Sequence, residues 1–182
     1  QAKPQGQLQA LDLRWFDAHT PALQFSAKGQ VADVTLQSSA PNSPASAWWW
    51  PGAQAAQVQF QINERGGRAQ VTVQDGSLSL VDWLEEPRIG LQKLKGEVSW
   101  AKQDQQWVLQ IQQAQLQNEW AQGEFGLTWK EGLANKPLGH LDLKVQVQKL
   151  DAKALHRYLP REMDAQARHY LRDAIGAGQF VK

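Results

Sequence analysis

The feature that most constrains this chain is the alternation of apolar and polar residues. Val58, Phe60 and Ile62 alternate with Gln57, Gln59 and Gln61, and Leu141, Leu143, Val145 and Val147 alternate with Asp142, Lys144, Gln146 and Gln148. A period of two is the mark of a β-strand with one apolar and one polar face. The pattern recurs at Leu11 to Trp15, Leu23 to Ala27, Val34 to Leu36, Ala69 to Val73, and Leu78 with Leu80. It continues at Leu94 to Trp100, Trp107 to Ile111, Leu116 to Trp120, and Phe125 to Trp129. These segments predict about eleven short strands, more than one ordinary sheet holds. Turn signals of hairpin length stand between them: Ala27-Lys28-Gly29, Glu64-Arg65-Gly66-Gly67, Asp75-Gly76, Lys102-Gln103-Asp104, Gln122-Gly123 and Lys130-Glu131-Gly132. Short turns join antiparallel neighbours, so the expected topology is a meander rather than a series of βαβ units.

Two segments break the alternation. In residues 41–53 the prolines Pro41, Pro44 and Pro51 exclude ladder positions, which puts Trp48, Trp49 and Trp50 together in a loop expected to pack over the sheet edge. At the carboxyl end Asp151 is a good N-cap for a short helix from Ala152 to Leu159, which Pro160 stops. Asp164 caps a second helix through Ala174, ended by Gly176 or Gly178, with Ala167, Tyr170, Leu171 and Ala174 on one narrow apolar face. The expected organisation is therefore a β segment over residues 1–150, a two-helix junction over 151–176, and the start of another strand over 177–182. A first residue Gln1 and a strand-like ending lead us to expect a piece of a longer protein, with any membrane anchor outside it.

Composition narrows the function classes. Nineteen basic side chains against eighteen acidic ones give a formal net charge of +1, too little to favour nucleic acid as a partner. The absence of cysteine removes disulfides, thiol nucleophiles and thiolate metal sites. No GxSxG, HExxH, GxxxxGK or GxGxxG occurs, so neither catalysis nor a cofactor has motif support, and a non-enzyme is expected. Asp17 and His19 lack further ligands at metal-binding spacing, so no metal site is expected. Glu85 and Glu86 read as solvated loop charge, and Lys153, His156, Arg157, Arg161, Arg168 and Arg172, mixed with acidic neighbours, read as a solvated helical face.

A sheet with one apolar face needs a cover, and two small helices cannot supply it. The sheet can fold on itself as a sandwich, or curl into an open trough filled by an apolar ligand, and alternation alone does not distinguish the two. Trp15, Trp100, Trp107 and Trp129 continue the apolar faces of their strands, where core packing is the simplest reading.

The carboxyl end bears a resemblance. Leu155 to Met163, LHRYLPREM, followed by RHYLRDAIGAGQF, resembles the junction of YhdP-type members of the AsmA-like family of Gram-negative bacteria. Arg157, Tyr158, Leu159 and Pro160 match its first part, and Tyr170, Leu171, Ala174 and Gly178 its second, with Tyr170 where Trp is usual. GQLQALDLRW, PALQFSAKGQVADVTLQ, RGGRAQVTVQDGSLSL and LQKLKGEVSW resemble that family's successive strands in the same order, whereas Trp48 to Trp50 and the alanines after Gly52 depart from it. The resemblance implies part of a long periplasmic protein anchored in the inner membrane by a transmembrane helix outside this chain. It also implies a bridge-like role in carrying phospholipid or another acyl-chain lipid toward the outer membrane.

That implication selects the open, curled groove: a mainly β fold, a long twisted antiparallel sheet with two short helices near the carboxyl end. The alternation then sets the groove lining as Leu11, Leu13, Trp15, Phe25, Val58, Phe60, Ile62, Val71, Val73, Leu80, Val98, Trp100, Leu109, Ile111, Phe125, Leu127, Trp129, Leu143 and Val145. Two other classes fit the same pattern: a structural spacer whose apolar face is closed by a second sheet, and a carbohydrate-binding sandwich using exposed Trp. An open face and free strand edges also favour self-association of the chain.

Overall fold

A computed structural model describes residues 4–16, 24–38, 51–81, 84, 86–132, 139–159, 161, 163–167, 169 and 170. Eight strands form one antiparallel sheet in sequence order. They are β1 (Gln5–Phe16), β2 (Gln24–Leu36), β3 (Gly52–Asn63), β4 (Gly66–Ser79), β5 (Arg88–Gln103), β6 (Gln106–Gln117), β7 (Ala121–Lys130) and β8 (His140–Leu150). At about 4.8 Å between neighbours the sheet is about 34 Å across. The expected antiparallel meander is thus present, as a single open layer.

The strand count differs from the expected eleven, and the reason is physical. Three pairs of short segments are each one long strand, joined through a residue with a left-handed backbone: Asp33 (φ 53°) in β2, Asp75 (φ 50°) in β4 and Gln113 (φ 48°) in β6. Asp33 and Gln113 lie where the register slips, between Val31 and Val34 and between Ile111 and Ala114. Such β-bulges interrupt the alternation without ending the strand, and they bend and twist it. Asp75-Gly76 is therefore a strand irregularity and not a turn. Gln122-Gly123 likewise lies inside β7, and the turn before it is Asn118 to Trp120.

Ala27-Lys28-Gly29 is also strand, paired with Leu13, Asp12 and Leu11 of β1. Gly29 answers a packing need: a Cβ there would stand 2.7 Å from the Phe60 ring and 2.7 Å from the Ala10 carbonyl oxygen. The irregularities share one half of the sheet. Register slips at Leu8/Ala10, Val31/Val34, Gln54/Ala56, Ile111/Ala114 and Gln122/Gly123 all fall toward the end where β2 finishes and β3 begins. The opposite half pairs without interruption.

At that bulged end a buried cluster forms from Ala56, Val73, Ile89 and Leu91, with Leu78, Leu80, Leu84 and Tyr158 packed against it. The segment after β4 and the 3₁₀ turn η1 (Ala152–Tyr158) supply the cover. Asp151 caps η1 as expected, its carboxylate accepting from the Lys153 N–H at 2.9 Å. Asp164 caps the next turn by accepting from the N–H groups of Gln166 and Ala167. The tryptophan run, Asp17, His19, Glu85, Pro160 and the part of the expected second helix and strand beyond Tyr170, including Leu171 and Gly178, lie outside the described residues.

A left-handed residue that is not glycine costs about 1–2 kcal/mol unless its side chain is short and polar. Asp75→Gly is therefore expected to keep or raise the urea midpoint, and Asp75→Val to lower stability by about 1–2 kcal/mol. Equal midpoints for the two variants would show that the backbone at Asp75 is not what sets this strand.

Candidate functional site: an uncovered apolar face

Because paired residues in neighbouring strands point to the same face, the register shows what each face is made of. One row runs Leu11, Gly29, Phe60, Ala69, Val98, Ile111, Leu127, Leu143 across all eight strands. The adjacent row runs Leu13, Ala27, Ile62, Gly67, Trp100, Leu109, Trp129, Leu141. On the other side lie Leu8, Val31, Val58, Val71 and Gly96, continued by Ala114, Phe125 and Val145, with Ala114 seated against Gly96. A further row takes Val34, Ala56, Val73, Leu94, Leu116, Gly123 and Val147 from β2 to β8. No charged or amide side chain interrupts these rows.

The intervening row reads Asp12, Lys28, Gln61, Arg68, Ser99, Gln110, Thr128, Asp142, polar from edge to edge. Its groups satisfy one another: Lys28 Nζ lies 3.3 Å from Asp12, and Arg68 donates to the Gln61 amide oxygen at 2.9 Å. A surface depression of about 680 Å³ draws most of its lining from this polar face, including Gln59, Gln61, Arg68, Gln70 and Glu97. Among the described residues no group of three or more His, Asp or Glu converges as a metal site, and no helix is long and apolar enough to cross a membrane.

Every residue expected to line the groove stands on the apolar face or in its packed end. Trp15 pairs with Phe25 and extends the rows toward the regular end of the sheet. Val73, 1 % exposed, belongs to the packed cluster and is closed to a ligand, and the half-buried Leu80 packs against that cluster. Exposure grows outward: Leu11 (52 %) and Trp15 (64 %) on β1 and Val145 (63 %) on β8 are open, while central residues such as Phe60 and Val98 are half-buried. Trp15 is therefore not packed in a core, as its alternation first suggests, because β1 has no neighbour beyond it among the described strands.

Polar and aromatic contacts made outside the apolar rows hold the packed end together. Asn118, 7 % exposed, accepts at Oδ1 from the N–H groups of Trp120 (3.0 Å) and Ala121 (2.7 Å), and its amide donates to the Tyr158 hydroxyl at 2.8 Å. Arg157 stacks over the Trp120 ring at 4.1 Å and pairs with Glu86 at 3.3 Å. His156 Nε2 lies 3.6 Å from the same carboxylate. Glu86, read as solvated loop charge, thus meets Arg157 and His156, read as a solvated helical face, and all three side chains stay partly exposed. An asparagine before a short turn was the available signal for Asn118; nothing local announced the contacts of Glu86 and Trp120 with Arg157.

The Arg157-Tyr158-Leu159 stretch is where the resemblance is most specific, and here it does structural work, with Leu159 buried. A family model described as YhdP protein matches the chain over residues 1–182. The chain belongs to the YhdP family. No curated protein and no solved structure gives a significant match. Within this YhdP family member, then, the matched junction anchors η1 onto the turn between β6 and β7, where the Asp151 N–H also donates to the Trp120 carbonyl at 2.7 Å.

Asn118→Ala leaves two turn N–H groups and the Tyr158 hydroxyl without their partner, so a loss of about 2–3 kcal/mol is expected in urea unfolding. Tyr158→Phe removes the hydroxyl that accepts from the Asn118 amide and donates to its oxygen, and should cost about 1–2 kcal/mol. If both variants unfold with the parent, the junction does not hold the packed end.

Proposed function

We propose that this chain is a segment of a lipid-carrying protein of the Gram-negative envelope, whose apolar sheet face shelters acyl chains between the inner and outer membranes. The observation that carries this reading is the set of apolar rows crossing every strand and, among the described residues, open at both edges, with Leu8, Leu11, Leu143 and Val145 about half exposed or more. An apolar area of this extent is rarely left to water, and it marks a binding surface. Membership of the YhdP family supports the same class.

Rows that run across the strands form tracks along the sheet, so an acyl chain moving from β1 toward β8 stays against apolar side chains throughout. Each methylene kept from water is worth about 0.8 kcal/mol, and it is worth nearly the same at the next strand. A path of near-constant free energy needs no catalytic group and no cofactor. It lowers the barrier to movement, while direction must come from concentration or from partners elsewhere. On this reading the bending of the bulged strands would turn the rows toward one another and make the face a groove. In the full-length protein an inner-membrane anchor outside this chain would hold the segment in the periplasm.

The test is native mass spectrometry of the chain purified without detergent from a Gram-negative host, with lipid extraction of the same sample. Phospholipid at definite stoichiometry is expected. Leu143→Asp together with Val145→Asp, at exposed positions where folding tolerates charge, is expected to reduce it several-fold with an unchanged circular dichroism spectrum. A lipid-free parent that takes up no phospholipid from vesicles would overturn the proposal.

A further inference from the structure

On the face opposite the apolar rows, one polar row differs from its neighbours in having no partner. Gln30, Gln59, Gln70, Glu97 and Gln112 pair in register from β2 to β6, so their side chains stand side by side on successive strands. All are exposed or half-buried, and among the described residues none of these side chains makes a hydrogen bond or an ion pair. The flanking rows are occupied with themselves. On one side Lys28 Nζ lies 3.3 Å from Asp12, and Arg68 donates to the Gln61 amide oxygen at 2.9 Å. On the other, the Gln115 amide donates to the Glu124 carboxylate at 3.4 Å. From β2 to β5 the unpaired row lines the depression of about 680 Å³, a volume within the range of ligand sites. Ala10, next in the row on β1, lines it with only a methyl group.

A primary amide offers two donors and a carbonyl acceptor, whereas the carboxylate of Glu97 accepts only. The row therefore matches a partner whose donors and acceptors recur at the spacing of the strands, about 4.8 Å. An extended peptide does not fit, because side chains on one of its faces recur about every 6.7 Å. An anion does not fit either, since the row contains a carboxylate and no cation, and Lys28 and Arg68 beside it are engaged. A β-1,4-linked chain of neutral pyranoses does fit. It is extended, its hydroxyls both donate and accept, and it advances by nearly the strand spacing with each sugar. From β2 to β6 the row is about 19 Å long, room for about four sugars.

We propose that the row formed by Gln30, Gln59, Gln70, Glu97 and Gln112 binds a neutral β-1,4-linked glycan lying across the strands. Each amide exchanges hydrogen bonds with the hydroxyls of one sugar, and Glu97 accepts from a hydroxyl in a charge-assisted bond. No ring stacks within the row, so affinity comes from hydrogen bonds and grows with the number of sugars engaged. The site lies on the face opposite the apolar rows, goes beyond the lipid-carrying reading and stands or falls separately from it.

The test is nuclear magnetic resonance of the isotope-labelled chain titrated with cellohexaose, cellotriose or the β-1,3-linked hexasaccharide laminarihexaose. Cellohexaose is expected to shift the side-chain amide signals of Gln30, Gln59, Gln70 and Gln112 along one saturable curve, with those of Gln146 and Gln148 on β8 unmoved. It is expected to bind more tightly than cellotriose, which spans less of the row, and than laminarihexaose, whose chain curls away from it. Gln59→Ala together with Gln70→Ala, both at exposed positions, is expected to weaken cellohexaose about tenfold, as the loss of two modest hydrogen bonds requires, with an unchanged circular dichroism spectrum. No saturable shift with cellohexaose overturns the site. A response carried by the tryptophan indole signals while the four amides stay still overturns its placement on the polar face. Equal binding of the three oligosaccharides overturns the match of spacing, and this comparison uses the parent chain, so it decides even where the double variant fails to fold. Lipid binding by the opposite face is unaffected by any of these results.

Discussion

Backbone pairing register is the constraint on which the rest of this structure depends. Side chains alternate from face to face along a strand, so a slip of one residue between any two neighbours would carry apolar residues onto the polar face. Leu11 and Leu143 stand at the ends of one unbroken apolar row because seven successive pairings keep their phase. Close-packed glycines support that register: Gly29 lies beneath Phe60, and Gly67 lies between Ile62 and Trp100, with no room for a side chain at either place. The apolar surface is thus a property of the sheet as a whole and belongs to no single strand.

The bulges qualify this order without breaking it. Those at Asp33, Ala55, Asp75 and Gln113 admit a residue at a left-handed backbone position, so the strand is bent while its side chains return to phase. Their confinement to one half of the sheet, near Asp33, Ala55, Asp75 and Gln113, leaves a regular half and an irregular one. The irregular half is also where the segment after β4 and η1 pack, so bending and covering of the sheet coincide.

Much of this was legible in the sequence. The alternation of Val58, Phe60 and Ile62 with glutamines, and of Leu141 to Val147 with polar neighbours, assigned faces correctly because a period of two is imposed by the backbone itself. Strand ends were less legible, since Asp75-Gly76 and Gln122-Gly123 have turn chemistry and yet lie in strands. Left-handed residues serve bulges and turns equally, and local composition does not separate the two. The anchoring of the packed end was hidden for another reason. Asn118 and Tyr158 are 40 residues apart, and Glu86 and Arg157 are further still, so no local pattern announces either contact. The resemblance at Arg157 to Leu159 marked the segment as specific, although its physical task emerged only from its neighbours.

In a meander each strand touches chiefly the strands before and after it in sequence. Pulled from its first residue, such a sheet would come apart like a zipper, one strand at a time, with each step opposed only by a single ladder. The contacts of η1 change that mechanics. Through Glu86, Asn118 and Trp120 they bind the approach to β5 and the turn between β6 and β7 to the segment following β8, so tension arriving from β1 meets a point where several strands must yield together. Under such tension that clasp would act as a mechanical stop, limiting how far the sheet unravels and providing an intact edge from which it can close again.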